Sequence, residues 1–251
     1  MIKRLTIFVI IVSSLFLIGY YYPLIQGYFI LDEKNIYEKE KVFFERAIDG
    51  DTIEVINSNR EKYKVRLLGI NTPEKKKEYS NLATGFLKRF ENNSVYIMRD
   101  FEDMDLYDRK LRYLFYEDRF INLEILEQGL ATSFITEGLY YEDKMLKAEK
   151  YAMENEIGLW ERSNDKCSSC IILYELNKEE EYFILENQCD FECRVDGWDV
   201  KDAGTHFFNL ENDIPAGKKI KIESKKNVWN NDGDRFFLRD DKGKLVVFYE
   251  Y

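Results

Sequence analysis

Residues 41–74 read KVFFERAIDGDTIEVINSNREKYKVRLLGINTPE. Runs rich in Val, Ile, Phe and Tyr at Lys41 to Ile48, Thr52 to Asn57 and Tyr63 to Leu68 are separated by turn chemistry at Asp49-Gly50 and Ser58-Asn59. That pattern predicts three short strands joined by tight turns. Val95 to Met98 and Leu111 to Tyr116 supply two more strands. A helix is predicted between the third and fourth, with Leu82, Phe86 and Phe90 forming a buried stripe at a spacing of four. Asn122 fits the N-cap of a short helix ending at Gly129, and residues 140 to 155 form a third helix. Five strands and three helices in this order predict an α+β unit, a small closed β-barrel with helices on its flank.

Outward from that unit the chain changes character twice. Residues 164–170 (Asn-Asp-Lys-Cys-Ser-Ser-Cys) are polar and lack periodicity, and read as a cysteine-containing linker. Beyond it, Ile171 to Leu176, Tyr182 to Asn187, a strand around Trp198, His206 to Leu210, Lys219 to Ile222, Phe236 to Arg239 and Leu245 to Tyr249 predict an all-β sandwich. On the other side, Lys3 and Arg4 precede an uncharged run from Leu5 to Leu31. Leu5 to Ile25 would make a helix of about 31 Å against a hydrocarbon thickness of about 30 Å. Bulky Phe16, Leu17, Tyr20, Tyr21 and Tyr22 crowd the place where a signal peptidase wants small residues. The expectation is an uncleaved single-pass transmembrane helix with the chain after Asp32 extracytoplasmic, a cleaved signal and secretion being the alternative. The expected organisation is therefore 1–31 anchor or signal, 32–40 linker, 41–163 first domain, 164–170 linker and 171–251 second domain.

With 45% hydrophobic and 33% charged residues and only 3 prolines, the 251-residue chain can bury real cores, which excludes disordered, collagen-like and disulfide-only classes. The single histidine, His206, excludes multi-His zinc clusters and HNH-type sites and leaves little room for a protease triad. It lies in or beside an apolar strand and reads as a structural or surface residue. A formal charge of -10 repels polyphosphate. Neither folded part is basic, so any nucleic-acid chemistry here requires a local basic cleft or a bound cation.

Three segments carry polar residues that strand building does not explain: Asp49-Gly50-Asp51-Thr52, Arg66-Leu67-Leu68-Gly69-Ile70-Asn71-Thr72-Pro73-Glu74, and Asp105-Leu106-Tyr107-Asp108-Arg109. Together they offer oxygen ligands for a hard cation, a carboxylate to orient or deprotonate water, and two guanidinium forks for charge on phosphate oxygens. Phosphodiester cleavage needs those types. Each segment alone is ordinary, since Asp-Gly is a common turn and Pro-Glu a common helix start.

Taken in order, the segments resemble the staphylococcal nuclease (thermonuclease) family over about residues 41 to 162. The resemblance implies an OB-type five-stranded barrel and calcium-dependent hydrolysis of DNA and RNA that leaves 3'-phosphate ends. It assigns one Ca²⁺ to Asp51, Asn71 and the backbone carbonyl of Thr72, catalytic roles to Arg66, Glu74 and Arg109, and nucleotide packing to Tyr107. Gln128-Gly129-Leu130-Ala131 and Gly158-Leu159-Trp160 also match, as packing positions. Asn71 departs from the family, which places a carboxylate there. Losing one negative charge from the ligand set weakens calcium binding without abolishing it, and Asp49 can add charge from behind. Lys75 and Lys76, in the run Lys75-Lys76-Lys77, sit where they can draw in a polyanion. A catalytically weak or inactive nucleic-acid-binding or surface scaffold protein is the alternative.

Leu185-Glu186-Asn187, Gly197-Trp198, Ile214-Pro215-Ala216-Gly217, Trp229-Asn230-Asn231-Asp232-Gly233-Asp234 and Leu238-Arg239-Asp240 resemble the lamin-tail family, an immunoglobulin-like β-sandwich. That likeness implies binding or positioning, with an unknown partner. Trp198 and Trp229 read as core. Asn230 to Asp234 is not an EF-hand, because Val228 would fill the first ligand position. Cys167 and Cys170 precede one strand while Cys189 and Cys193 follow its hairpin partner, so all four sulfurs can cluster. Two disulfides or a structural Zn²⁺ site would both clip the chain where the two domains meet.

Overall fold

A computed structural model describes residues 17, 20–22, 37–74, 79–136, 138–204, 206–224 and 227–251. The expected membrane helix lies almost wholly outside them, as do Lys75 and Lys76. Among the described residues no helix is long and apolar enough to cross a membrane.

The first module is a closed barrel. β1 (Lys39–Ala47), β2 (Thr52–Ile56), β3 (Lys62–Leu67), β5 (Asn93–Met104) and β6 (Lys110–Tyr116) run in the order β3-β2-β1-β5-β6, and parallel pairing of β3 with β6 closes the ring. Alternation decides the inner face: Val42 and Phe44 of β1 are buried while Phe43 faces out. Lys39 and Glu40, expected in a linker, already pair with Met98 and Ile97. Two short strands, β4 (Ile70–Asn71) and β8 (Thr132–Ser133), pair beside the barrel, and β7 (Arg119–Phe120) extends its β6 edge.

Three helices flank it: α1 (Ser80–Lys88), α2 (Ile121–Glu127) and α3 (Glu142–Glu154). Two sequence expectations need correction. Leu82 is 56% exposed, and α1 instead buries Ala83, Phe86 and Leu87, with Phe90 packed just beyond its end. Asn122 does not cap α2, whose N-cap is Phe120. Its fully buried amide accepts from the Leu114 N–H at 2.9 Å and donates to the Leu68 carbonyl at 2.8 Å. It thus pays its desolvation cost by tying helix to barrel.

The second module packs two antiparallel sheets around one core. One has the order β13-β10-β9 and the other β12-β11-β14-β15, from β9 (Ile171–Asn177), β10 (Tyr182–Asn187), β11 (Asp199–Lys201), β12 (Phe207–Asn209), β13 (Lys219–Glu223), β14 (Arg235–Arg239) and β15 (Leu245–Glu250). Trp198 lies just before β11, and both Trp198 and Trp229 are core residues. Cys167 pairs with Cys193 and Cys170 with Cys189. This pairing is the disulfide alternative, with no cysteine free among the described residues. The bridges brace the second module's own core, not the seam between modules.

The seam is built from both sides. Trp160, in a 3₁₀ turn after α3, is buried with Ala152 against Phe237 and Leu245. Arg235 reaches Glu149 of α3 at 2.9 Å, and Glu149 also accepts from the Ser133 N–H at 2.7 Å. Arg239 donates to the carbonyl of Leu159, and Ser163 donates to Asp240 at 2.6 Å.

Candidate active site

Barrel register gathers the three polar segments. Thr52 pairs with Arg66 across β2 and β3, the Leu67 N–H donates to the Asp51 carbonyl at 2.8 Å, and Arg66 lies beside Leu111 where β3 meets β6. Asp51 is buried and heavily bonded. Its Oδ2 accepts from the Thr72 N–H at 3.1 Å, the Thr72 hydroxyl at 2.8 Å and Arg66 Nη1 at 3.1 Å. Gly50 makes that approach possible, because a Cβ there would lie 2.6 Å from the Ala83 Cβ and 2.8 Å from the Thr72 hydroxyl oxygen.

Arg109 joins the group through a hydroxyl. Thr52 Oγ1 donates to Asp51 Oδ1 at 3.1 Å and accepts from Arg109 Nη1 at 3.2 Å. Asp105 holds that arginine in place, taking its Nε at 2.7 Å and the backbone N–H groups of Tyr107 and Arg109. Burial pushes the Asp105 carboxyl up, but these bonds outweigh it and hold the group below its ordinary range. Tyr107 is 79% exposed with the Arg109 guanidinium 5.5 Å from its ring centre, so its free face is open to a base. Glu74 is exposed, and its charge acts on Lys201 of the second module.

The corner suits a hard cation. Burial and then repulsion by Asp51 raise the Asp49 carboxyl above its usual range. Asn71 donates its NH₂ to the carbonyls of Ala203 and Gly204, both at 3.1 Å, leaving its side-chain oxygen as the acceptor available to an ion. With the Thr72 carbonyl, the donors are all oxygen, as Ca²⁺ requires. Arg66 offsets part of the Asp51 charge, which favours a loose site. Burial in turn pushes the Arg66 guanidinium down from its ordinary value while Asp51 pulls it back up.

Residues 64–162 match the family described as staphylococcal nuclease homologue. The chain is 33% identical over 131 residues to a thermonuclease of Staphylococcus intermedius, a match that covers 49% of this chain and 77% of the relative. It is 29% identical over 123 residues to a thermonuclease of Staphylococcus hyicus, covering 46% and 72% of the two chains. An uncharacterized endonuclease of Haemophilus influenzae is 30% identical over 129 residues, covering 51% and 70%. The chain belongs to the staphylococcal nuclease family. At the level of that family its first module is a phosphodiester hydrolase domain acting on nucleic acid.

In this member of the nuclease family the cleft has a second wall. Arg66, Tyr107 and Arg109 share it with Ala203, His206 and Val228 of the C-terminal module. Its volume of about 570 Å³ falls in the range of about 300–1,000 Å³ that holds small ligands. Thr52 and Asp105 fall within the polar segments singled out in the sequence but had no role assigned there, and the wall was not foreseen. The turn Asp105-x-Tyr107-x-Arg109 carried a readable signal, because Asp commonly accepts from backbone two and four residues on. The wall carried none, since its residues lie more than 130 positions from Arg66.

Proposed function

We propose that the protein is a calcium-dependent nuclease that hydrolyses phosphodiester bonds of DNA and RNA and leaves 3'-phosphate ends. The observation that carries this reading is the continuous network Arg66–Asp51–Thr52–Arg109, two guanidinium groups fixed on either side of one buried carboxylate. Ca²⁺ held by Asp51, Asn71 and the Thr72 carbonyl would supply Lewis-acid polarisation of a phosphate oxygen.

The chain's own groups do the rest. Glu74, exposed to solvent, orients water and takes its proton as the water oxygen bonds to phosphorus. Arg66 and Arg109 donate to the oxygens on which charge grows; Asp51, Thr52 and Asp105 hold them there, so little reorganisation accompanies the reaction. The bond from phosphorus to the 5'-oxygen breaks, that oxygen takes a proton from solvent, and the phosphate stays on the 3' side. Tyr107 offers a stacking face for a base.

The reading extends to location. The apolar run Leu5 to Ile25 behind Lys3 and Arg4 supports a membrane anchor with the nuclease outside the cytoplasm, and secretion after cleavage is the other course. Two disulfides fit an oxidising compartment. The lamin-tail-like module would be a positioning element.

The test is cleavage of single-stranded DNA by the full-length protein with calcium and then with chelator. Cleavage that vanishes on chelation supports the enzyme; retention of DNA without cleavage supports a nucleic-acid-binding protein instead. Glu74→Gln should lower kcat by roughly 10²–10⁴-fold with an unchanged melting temperature, and equal turnover would remove Glu74 from the mechanism.

A further inference from the structure

We propose that the C-terminal module supplies a strand-binding residue, His206, to the cleft, and that Asn71 is the latch that seats it. The inference rests on the nuclease reading for the identity of the ligand, a single nucleic-acid strand. Its geometry does not.

His206 is built as a ligand-facing group. Its Nδ1 lies 2.6 Å from Oδ2 of Asp202, and its backbone N–H donates to Oδ1 of the same residue at 2.9 Å. Asp202 is buried, 2% exposed, while the imidazole is about half exposed. A buried carboxylate accepting from Nδ1–H fixes both the tautomer and the direction of the ring, and it leaves Nε2 without a role inside the module. That ring lines the cleft shared with Arg66, Tyr107 and Arg109. A histidine whose only task was structural would not need an oriented, exposed edge in the cleft that Arg66 and Arg109 also line.

The position of this wall is specified from both modules. Asn71, next to the proposed ion ligand Thr72, donates to the carbonyls of Ala203 and Gly204. Gly204 also accepts from the Lys201 amine, which bonds the Asp202 carbonyl at 3.1 Å. The Ala203 N–H donates to buried Asp234 at 3.0 Å. An amide at position 71 can donate to two carbonyls, whereas a carboxylate would repel them. The family's missing carboxylate is thereby accounted for: the residue exchanges one unit of ligand charge for a contact that joins the wall to the barrel.

The ligand is a polyanion whose phosphate lies on Arg66 and Arg109, and His206, with Nδ1–H given to Asp202, accepts at Nε2 from a base N–H of the strand, in oligothymidylate the thymine N3–H. The experiment measures the Kd of full-length protein for a fluorescein-labelled oligothymidylate in chelator, where binding is read without turnover. His206→Ala should weaken binding by roughly three- to tenfold, the range of one hydrogen bond, measured well below a melting temperature that falls modestly because buried Asp202 loses the ring and keeps only the backbone N–H. His206→Gln, which keeps an acceptor, should recover most of that loss. In calcium, the same variants should raise KM while leaving kcat within about twofold. Wild-type binding in both variants would overturn the proposal even if the enzyme cleaves. Failure of the wild type to cleave, with the His206→Ala binding loss intact, would overturn the nuclease reading alone.

Discussion

At the scale of single residues, Asn71 decides how the site is read. On sequence alone it weakens a calcium site, and Asn71→Asp restores the ligand charge. The structure adds a cost, because the new carboxylate would face two carbonyl oxygens now bonded by the amide at 3.1 Å. In chelator, Asn71→Asp should lower stability by about 0.5–1.5 kcal/mol, the net worth of an ordinary hydrogen bond, since the half-buried carbonyls of Ala203 and Gly204 lose their donor. Added calcium should raise its melting temperature more than it raises that of the wild type. Equal melting in chelator would show that the latch contributes nothing. Lys201 yields a signed pH effect. Burial pushes its amine down to about 8, against an ordinary value near 10.4. Between those values the unfolded chain binds the proton and the folded chain does not, so stability rises with pH across that window and is lost as pH falls through about 8. Denaturant titrations at about pH 7.5 and about pH 9.5 should show the wild type gaining relative to Lys201→Met; a pH-independent difference would contradict it.

At the scale of elements, the barrel was legible and its fastenings were not. Runs rich in Val, Ile, Phe and Tyr bounded by turn residues located all five barrel strands. Leu82 misled because a spacing of four fits one helical face, yet the face turned to the core is set by Ala83 and Leu87, whose burial depends on where α1 docks. Asn122 misled for a related reason: Asn before an apolar run is a common cap, and only the barrel reveals Leu68 and Leu114 waiting for its amide. The polar segments were legible as a cluster, since Asp51, Arg66, Thr72 and Arg109 do meet. Gly129 was legible only as a packing position, and the structure gives the reason. It holds φ +59°, a Cβ there would lie 2.0 Å from the Ile157 carbonyl oxygen, and its own carbonyl accepts from the Leu159 N–H at 2.8 Å. Gly129→Ala should therefore destabilise the protein by more than about 2 kcal/mol, through a strained backbone and a parting of α2 from the turn that carries Trp160. Chemical denaturation checks this, and a loss below about 0.5 kcal/mol would mean the turn adjusts freely.

At the scale of the molecule, the two modules share a buried charge. Glu149 is 2% exposed and accepts from Arg235 of the second module and from Ser133 of the first. Breaking such a pair strands a buried carboxylate, which costs about 3–5 kcal/mol, whereas replacing both partners by apolar groups of similar size is often close to neutral. Arg235→Met should therefore loosen the seam strongly, and Arg235→Met with Glu149→Leu should recover much of the loss. The unfolding curve reports where the energy went. If the seam couples the modules, the wild type melts in one transition and Arg235→Met in two, the module held by two disulfides melting last. Because the wall carrying His206 is fastened to the barrel by Asn71 as well as by this seam, Arg235→Met should also weaken oligothymidylate binding without touching a residue of the cleft. Two transitions already present in the wild type would mean that Trp160 and Arg235 hold the modules together without making them one folding unit.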